Sequence, residues 1–370
     1  MEKRILGKTG IEVSILGLGG FHMLEISKEL VSQLVDIYLD HGGNYIETAA
    51  EYGDGESEKK LSYAIKNRRN DVVLVSKCHI RDREGARKFV ERTLRNLKTD
   101  HLDILFLHHV TMQEDVDVLL KRPSALDYVF EAKEKGMIRA IGVSFHGLPD
   151  YALKLLKAQE LDVAMTGFNY YDRFNFPSIF EEFLPYARSK NMGIVGMKAV
   201  ADGYLYRSTE DAFRYALSQD IDIMVAGTNS KEILLKDISI VDNFKPMSKK
   251  SMENLYFRAP ELNSYVCRQC NKCLPCPEGI NIPKIFEYEG WYDRQMRDYK
   301  PHEAPDYALR ERLAFWFGNQ NEAKEAYKSM DKNYTDCTNC GLCEERCPYD
   351  LQVIDKLRLV HFKLANGDIF

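Results

Sequence analysis

Cysteines are concentrated in two short runs near the end of this 370-residue chain. Eight of its nine cysteines stand there, and only Cys78 lies elsewhere. The spacings are three, three and three in the first run, and three, three and four in the second. The first run consists of Cys267, Cys270, Cys273 and Cys276, and the second of Cys337, Cys340, Cys343 and Cys347. Thiolates so closely spaced are typical ligands of a metal or a metal cluster. Such a site would constrain how this part of the chain folds.

The spacing matches the ligand pattern of bacterial [4Fe–4S] ferredoxins, in which the fourth cysteine of each run binds the other run's cluster. On that pattern the sequence predicts two clusters with mixed ligand sets. The first set is Cys267, Cys270, Cys273 and Cys347, and the second is Cys337, Cys340, Cys343 and Cys276. A single cluster beside a vestigial run is the alternative. Structural zinc usually takes two separated pairs of ligands, and disulfides are disfavoured because neighbours three apart are poorly placed to bridge and no secretory signal is recognisable.

Composition is that of an ordinary globular protein. Hydrophobic residues make up 45% of the chain and charged residues 29%, close to average usage. The formal net charge of −5 gives no electrostatic reason to expect a nucleic acid or an anionic membrane as partner. No apolar stretch approaches the roughly 18 residues of a membrane span, and MEKRILGKTG does not resemble a signal peptide. These features predict a protein of the reducing cytoplasm.

Residues 1–245 alternate between short apolar strands and longer amphipathic helices. The predicted strands cover 13–20, 44–48, 71–77, 102–109, 138–144, 162–169, 193–200 and 222–227. Apolar residues recur at helical spacing between them, for example over 88–97, 125–135 and 180–190. Eight such units in this length have the rhythm of a (β/α)8 TIM barrel. A doubly wound sheet is the alternative, but GLGG at 17–20 lacks the spacing of the G-x-G-x-x-G dinucleotide-binding motif.

The alternation ends near residue 245, and the rest of the chain is predicted to form a second domain. Residues 1–245 are the predicted barrel, 246–265 a linker, and 266–370 a mostly α-helical ferredoxin-like domain with both cysteine runs. The stretch between the runs is rich in aromatic residues, which we expect to form an apolar shell around the clusters. These residues are Phe286, Tyr288, Trp291, Tyr292, Tyr307, Phe315, Trp316 and Phe317.

Several segments of the first domain resemble the aldo-keto reductase family. RILGKTGIEVSILGLGG (4–20) resembles the family's opening hairpin and first strand. NYIETAAEYGDGESE (44–58) resembles its segment with an acidic residue, then T-A, Y-G and S-E. VSKC (75–78) and DILFLHH (103–109) resemble the strands that supply a catalytic lysine and histidine. Together with the cysteine runs, the chain resembles the ferredoxin-like subgroup of this family, which implies an NAD(P)H-dependent oxidoreductase acting on a small carbonyl or alcohol.

Carried over to this chain, the resemblance implies a catalytic tetrad of Glu47, Tyr52, Lys77 and His108. All four follow or end predicted strands, and the carboxyl ends of strands form the active-site face of a barrel. A buried Lys77 ammonium would favour the Tyr52 phenolate and lower the tyrosine pKa, while Glu47, where the family usually has aspartate, would orient the lysine. His108 would donate to the substrate carbonyl. Its neighbour His109 is expected to face the other way, because side chains alternate along a strand.

The resemblance also implies residues that hold a nicotinamide cofactor. At the ends of the later strands these are Ser144, Asn169 and Lys198. The segment AGTNSKEILLKD (226–237) resembles the family's phosphate-binding loop and helix start. A helix N-terminus is a favourable place for a phosphate group. The candidates there are Gly227, Thr228, Asn229, Ser230 and Lys231. The charge of Lys231 slightly favours NADP(H) over NAD(H).

The two predicted parts handle electrons differently. Nicotinamides deliver hydride, two electrons together, whereas clusters carry one electron at a time. A bound flavin, a substrate radical or the absence of exchange would reconcile them, and the sequence contains no recognisable flavin signature. We expect the clusters to relay electrons to or from a ferredoxin or another one-electron carrier. The alternatives are a redox-neutral isomerase or dehydratase with structural clusters, and a non-catalytic iron–sulfur redox module.

Overall fold

The structure is a computed structural model that describes residues 1–294 and 320–365. In chain order the strands are β1 (Lys3–Ile5), β2 (Glu12–Ser14), β3 (Leu16–Gly19), β4 (Tyr45–Glu47), β5 (Val73–Cys78), β6 (Leu102–Leu107), β7 (Ile138–Ser144), β8 (Val163–Gly167), β9 (Gly193–Met197) and β10 (Ile223–Gly227). The helices among these strands are α1 (Lys28–Asp40), α2 (Glu56–Ile65), α3 (Arg83–Leu97), α4 (Gln113–Leu120), α5 (Ala125–Glu134), α6 (Asp150–Ala158), α7 (Asp172–Asn175), α8 (Leu184–Ser189), α9 (Thr209–Leu217) and α10 (Lys231–Asp242).

Strands β3 to β10 close into a barrel in the order β10-β3-β4-β5-β6-β7-β8-β9. Neighbouring strands are parallel, and a helix follows each of them. The predicted (β/α)8 barrel is therefore confirmed. The first predicted strand began too early, because Val13 and Ser14 belong to β2, which pairs antiparallel with β1. The apolar run continues from one strand into the other, so its hydrophobic pattern does not reveal the break.

The β1–β2 hairpin closes the barrel at the amino ends of its strands. The Lys8 N–H donates to the Asn191 carbonyl oxygen at 2.7 Å, just ahead of β9. Leu6 and Val13 pack in one buried cluster with inward-facing strand residues such as Phe106. Because apolar side chains fill this end, ligand space is left at the carboxyl ends of the strands.

Polar caps and apolar faces fix the helices around the barrel. The Asp82 carboxylate accepts from the Gly85 N–H at the start of α3 (2.7 Å), and Ser230 caps α10 in the same way. Ser124 and Asp127 form a reciprocal capping box on α5, an arrangement that satisfies backbone donors otherwise left open. Cys78 is fully buried in the layer between strands and helices, where it acts as a packing residue.

The last helices of the described chain are α11 (Lys249–Arg258), α12 (Ile282–Arg294), α13 (Gln320–Lys328), α14 (Leu342–Glu345) and α15 (Val353–Ala365). Helix α11 lies in the segment predicted as a linker, and its Tyr256 hydroxyl donates to that of Tyr215 on α9 (3.2 Å). Helices α12, α13 and α15 contribute to a second apolar core that contains Phe286 and Tyr292, with Tyr288 and Trp291 packed against it. Tyr307, Phe315, Trp316 and Phe317 lie outside the described residues. Within the described ranges, no helix has the length and apolar character needed to cross a bilayer.

The two cores meet where α12 packs on α7. Gly290 of α12 comes so close to Asn175 that an added Cβ would lie 2.6 Å from the Asn175 Oδ1. Trp291, the next residue, packs against both cores. The cysteine-bearing domain therefore contacts the barrel through the segment that follows β8.

Two adjacent leucines of α10 test how this helix packs. Leu234 is 2% exposed, whereas Leu235 is 44% exposed. We expect Leu234→Ala to lower the free energy of unfolding by about 2–5 kcal/mol, because it removes buried methyl groups and leaves a cavity. Leu235→Ala is the matched control, with an expected effect of about 0.5 kcal/mol or less. Urea unfolding of anaerobically purified protein measures both, and equal effects would contradict this orientation of α10.

Candidate active site

A cavity of about 560 Å³ opens at the carboxyl ends of the barrel strands. This volume lies in the range of small-molecule sites. Each barrel strand contributes a lining residue from its middle or carboxyl-terminal part, or from the position just beyond it, namely Gly19, Glu47, Lys77, His108, Ser144, Met165, Met197 and Gly227. The whole predicted tetrad lines this one cavity, since Tyr52 also belongs to its wall.

Lys77 links two other members of the predicted tetrad. Its Nζ donates to Glu47 Oε1 at 2.9 Å and to the Tyr52 hydroxyl oxygen at 3.2 Å. A third hydrogen bond joins Lys77 Nζ to the backbone oxygen of Thr48, also at 3.2 Å. Lys77 is 2% exposed, and an ammonium group has three hydrogens to donate. The three bonds therefore fix the position of its charge.

Glu47 reaches Lys77 in spite of being longer than the usual aspartate. Burial works against the ammonium, yet the Glu47 carboxylate and Tyr52 raise the pKa of Lys77 above its ordinary value. The lysine is therefore charged at neutral pH. The second carboxylate oxygen, Glu47 Oε2, is buried and has no hydrogen-bond partner in the described part of the chain. Such an unsatisfied acceptor is costly in a folded protein and suits a donor on a bound ligand.

Tyr52 departs from the expected effect of a neighbouring ammonium. Burial raises the pKa of Tyr52, and this effect exceeds the lowering caused by Lys77. The prediction that the pKa of Tyr52 is lowered is therefore wrong, although Lys77 taken alone does lower it as expected. The physical reason is that burial disfavours a phenolate more than one ammonium, itself paired with Glu47, can compensate. Tyr52 thus keeps its proton at neutral pH.

His108 is bonded to a carboxylate that the sequence reasoning missed. Its Nδ1 lies 2.5 Å from Glu51 Oε2. Burial lowers the pKa of His108 to about 4, although the Glu51 bond acts in the opposite direction. The imidazole is therefore neutral at physiological pH. Glu51 directly precedes Tyr52 in the E-T-A-A-E-Y string, and a carboxylate on that conspicuous loop was the signal available in the sequence.

His109 does not face away from the site as expected. Both His108 and His109 line the cavity. Strand β6 ends at Leu107, and His109 has a φ of 64°, so the alternation that holds within a strand no longer applies. The His109 N–H donates to the Ser144 Oγ at 3.2 Å, which holds this turn against the end of β7.

The predicted cofactor residues separate into two groups. Ser144, Lys198 and Gly227 line the cavity. Asn169 does not, because it is fully buried and its side chain bonds Asp172 and the Lys198 backbone oxygen. Thr228, Asn229, Ser230 and Lys231 follow β10 at the start of α10, outside the cavity wall.

Two smaller cavities in the second domain gather the cysteines of both runs. One is lined by Cys267, Cys270, Cys273 and Cys347, and the other by Cys273, Cys276, Cys337, Cys340 and Cys343. Apart from the shared Cys273, these groups match the predicted mixed ligand sets. All nine cysteines of the chain lie in the described ranges, and none of them forms a disulfide bond. Across these ranges, no three potential ligand side chains converge on a point where one metal ion could be held.

Family models match both parts of the chain. The Aldo/keto reductase family matches residues 15–252, and a 4Fe-4S dicluster domain matches residues 266–352. The oxidoreductase YqkF of Bacillus subtilis is 28% identical over 232 residues, which cover 60% of this chain and 72% of that protein. L-galactose dehydrogenase of Arabidopsis thaliana is 28% identical over 223 residues, or 55% of this chain and 67% of its own length.

Solved structures show the same barrel. The aldo-keto reductase AKR11C1 from Bacillus halodurans matches with a TM-score of 0.61 and 24% identity, over 69% of this chain and 95% of its own. An aldo-keto reductase from Klebsiella pneumoniae, solved in complex with NADPH, matches with a TM-score of 0.58 and 20% identity, over 69% of this chain and 94% of its own. At these identities the likeness establishes the fold.

The buried His108 should make the folded protein sensitive to acid. Its pKa of about 4 lies below the value near 6.5 of an unfolded histidine. The folded state therefore binds fewer protons, and the free energy of unfolding falls as the pH drops from about 6.5 to about 4. We expect His108→Gln to reduce this fall by up to about 3 kcal/mol, as measured by urea unfolding at several pH values.

The exposed His41 supplies the control for this experiment. His41→Gln should leave the acid-induced loss of stability unchanged. The groups acting on His108 are Glu51, Lys77 and His109, and each is retained in both variants. If the free energy of unfolding fell by the same amount at low pH in wild type and in His108→Gln, the burial of a neutral ring at this site would be contradicted.

Proposed function

Because this chain belongs to the aldo/keto reductase family and carries a 4Fe-4S domain, we propose that it is an NAD(P)H-dependent oxidoreductase of a small carbonyl or alcohol substrate. The observation that carries the proposal is the contact of Lys77 Nζ with both Glu47 and Tyr52 inside the barrel cavity. We propose further that two [4Fe–4S] clusters occupy the cysteine cavities of the second domain.

Tyr52 is proposed to carry the proton of the reaction. During reduction its hydroxyl donates a proton to the carbonyl oxygen, and during oxidation the phenolate accepts one. The raised pKa of Tyr52 keeps that proton in place at neutral pH. Lys77, at 3.2 Å from the phenolic oxygen, stabilises the phenolate formed when the proton leaves. Glu47 keeps the ammonium in position through its 2.9 Å bond.

A nicotinamide cofactor fits the donor set of the cavity. Ser144, Lys198 and Gly227 lie in its wall, and the N-terminus of the 12-residue helix α10 follows Gly227 directly. These residues are proposed to hold the cofactor, with Thr228 to Lys231 and the helix N-terminus on its phosphates. When bound, the nicotinamide supplies or accepts the hydride. The Klebsiella structure with NADPH makes this cofactor the first one to test, and Lys231 slightly favours it. Asn169 is proposed to contribute indirectly, because its side chain bonds Asp172 and the backbone oxygen of Lys198, a residue of the cavity wall.

The cysteine cavities suit two cubane clusters. Each receives thiols from both runs, as in two-cluster ferredoxins. Their walls are otherwise mainly apolar, with Ile280, Ile354 and Leu357 at one and Phe286 and Leu351 at the other. Cys270 and Cys340 are the exposed members of the two sets. We propose that a ferredoxin or another one-electron carrier exchanges electrons with the clusters at this surface.

Conservative variants of the tetrad test the reductase chemistry. We expect Tyr52→Phe and Lys77→Met to slow NADPH oxidation by about 10²–10⁴-fold, because each removes part of the proton-transfer machinery. The measurement is the rate with a panel of small aldehydes and ketones, alongside NADPH binding by fluorescence. Tyr63→Phe, on a 40% exposed tyrosine of α2, is the control and should retain the wild-type rate.

Each readout decides a different part of this proposal. Wild-type protein that binds neither NADPH nor NADH would contradict the nicotinamide cofactor. A Tyr52→Phe variant that oxidises NADPH as fast as Tyr63→Phe would contradict the role of Tyr52 as proton donor. Transfer of electrons from NADPH to the clusters, seen as bleaching of their visible absorbance, would favour a relay over structural clusters.

Paired cysteine variants test the mixed ligand sets. We expect wild-type protein to hold about eight irons per chain, four in each of two clusters. Cys276 and Cys340 line the same cavity although they belong to different runs. The double variant Cys276→Ala/Cys340→Ala should therefore lose one cluster and keep about four irons. Cys270 and Cys276 share a run but line different cavities, so Cys270→Ala/Cys276→Ala should lose both clusters.

Cys78→Ala is the control for cysteine removal as such, because Cys78 is buried in the barrel layer. It should retain all the iron, as measured by iron analysis and electron paramagnetic resonance of the reduced protein. If the Cys270/Cys276 pair lost one cluster and the Cys276/Cys340 pair lost both, each run would hold its own cluster.

A further inference from the structure

Glu51 and His108 form a hydrogen-bonded pair at the wall of the barrel cavity. We propose that Glu51 holds the His108 proton on Nδ1, so that Nε2 presents an acceptor to the cavity, and that the site thereby selects substrates with a hydroxyl group beside the reacting carbonyl or alcohol carbon. This inference rests on the proposed reductase function for the reacting carbon. It adds a positioning residue, Glu51, and a substrate class, the α-hydroxy carbonyls and vicinal diols.

The position of the proton follows from the chemistry of the pair. Glu51 is 38% exposed at the cavity, and the His108 bond holds the pKa of its carboxyl below the ordinary value in spite of partial burial. It is therefore a carboxylate, which can only accept hydrogen bonds. With the two atoms 2.5 Å apart, the hydrogen must belong to His108 Nδ1.

The same ring then has an acceptor at its other nitrogen. A neutral imidazole carries one N–H, and the second nitrogen is a lone-pair acceptor. Within the described residues, the only hydrogen bond of the His108 side chain is the one to Glu51, and its Nε2 is not among the buried nitrogens without a partner. Since His108 lines the cavity, Nε2 is the nitrogen left to meet a ligand.

A doubly protonated ring would present a donor instead, and the surroundings oppose it. Burial, the Lys77 ammonium and the neighbouring His109 all disfavour the imidazolium, and only Glu51 favours it. Their combined effect outweighs Glu51 and keeps His108 neutral.

Tyr52 and His108 therefore offer opposite functions to a ligand. Tyr52 retains its proton and donates, whereas His108 Nε2 accepts, and their ring centroids lie 6.2 Å apart. A carbonyl oxygen can accept from Tyr52 but has no hydrogen for His108. A hydroxyl on the adjacent carbon supplies that hydrogen, so an α-hydroxy carbonyl satisfies both groups at once. The expected role of His108 as donor to the reacting carbonyl is replaced by recognition of this second oxygen.

The reaction at the carbonyl carbon balances without any change at His108. In reduction the carbonyl carbon receives hydride from the reduced nicotinamide and its oxygen receives the Tyr52 proton, which gives a vicinal diol. The adjacent hydroxyl keeps its hydrogen throughout and donates it as a hydrogen bond to Nε2.

Nuclear magnetic resonance decides the tautomer without any turnover. Histidine labelled with ¹⁵N distinguishes an Nδ1–H ring from an Nε2–H ring, and the His108→Gln spectrum assigns the signal. We expect wild-type His108 to carry its proton on Nδ1. Glu51→Gln should abolish this preference, because an amide can donate to Nδ1. Glu56→Gln is the control, since Glu56 lies on the adjoining α2 and pairs with Lys60, and it should leave the tautomer unchanged.

A matched pair of probes tests the substrate class. Hydroxyacetone and methoxyacetone both have an oxygen beside the carbonyl, but only hydroxyacetone has a hydroxyl hydrogen. We expect wild-type kcat/KM to favour hydroxyacetone by at least about 10-fold, because methoxyacetone would cover the Nε2 acceptor without donating to it. In Glu51→Gln this ratio should fall towards one, while Glu56→Gln retains it.

The outcomes separate the inference from the function on which it rests. An Nε2–H tautomer in wild-type protein, or equal kcat/KM for the two probes, would overturn the inference. If none of the carbonyl probes supports NADPH oxidation, the proposed reductase function fails. The resonance spectrum would still decide the Glu51–His108 arrangement in that case.

Discussion

A single buried charge organises the active-site end of the barrel. The Lys77 ammonium is almost fully enclosed, and an unpaired charge in such a place would be strongly destabilising. Glu47 and Tyr52 are the groups that make it tolerable, through bonds of 2.9 and 3.2 Å. The parallel pairing of β4 with β5 sets Glu47 beside Val75, two residues before Lys77. Barrel geometry thus supplies the contact on which the chemistry depends.

Burial also determines where the protons lie around this charge. It keeps the phenolic proton on Tyr52 against the pull of Lys77, and it keeps the His108 ring neutral against the pull of Glu51. The cavity therefore offers one donor and one acceptor side by side. A site arranged in this way distinguishes ligands by their hydrogen-bonding pattern as well as by their size, because a mismatch leaves a buried polar group unpaired.

The barrel was accessible from sequence because apolar runs at strand spacing are local signals. The meeting of Glu47, Tyr52, Lys77 and His108 in one cavity was accessible through the family resemblance of short segments such as the E-T-A-A-E-Y string. The misplaced residues depend on geometry that such patterns do not contain. His109 follows the end of β6 and takes a positive φ, which cancels strand alternation. The Glu51 bond to His108 spans 57 positions of the chain. Asn169 has the right chemistry for a cofactor contact, but its amide is taken up by Asp172.

Cys273 belongs to the walls of both cysteine cavities. The two sites are therefore separated by little more than one side chain. Filled with one cluster each, as proposed, they would place two one-electron centres side by side. Such a pair would hold two electrons in total, the same number that a hydride carries. The two electrons of a hydride would still have to be separated before they reached the clusters one at a time.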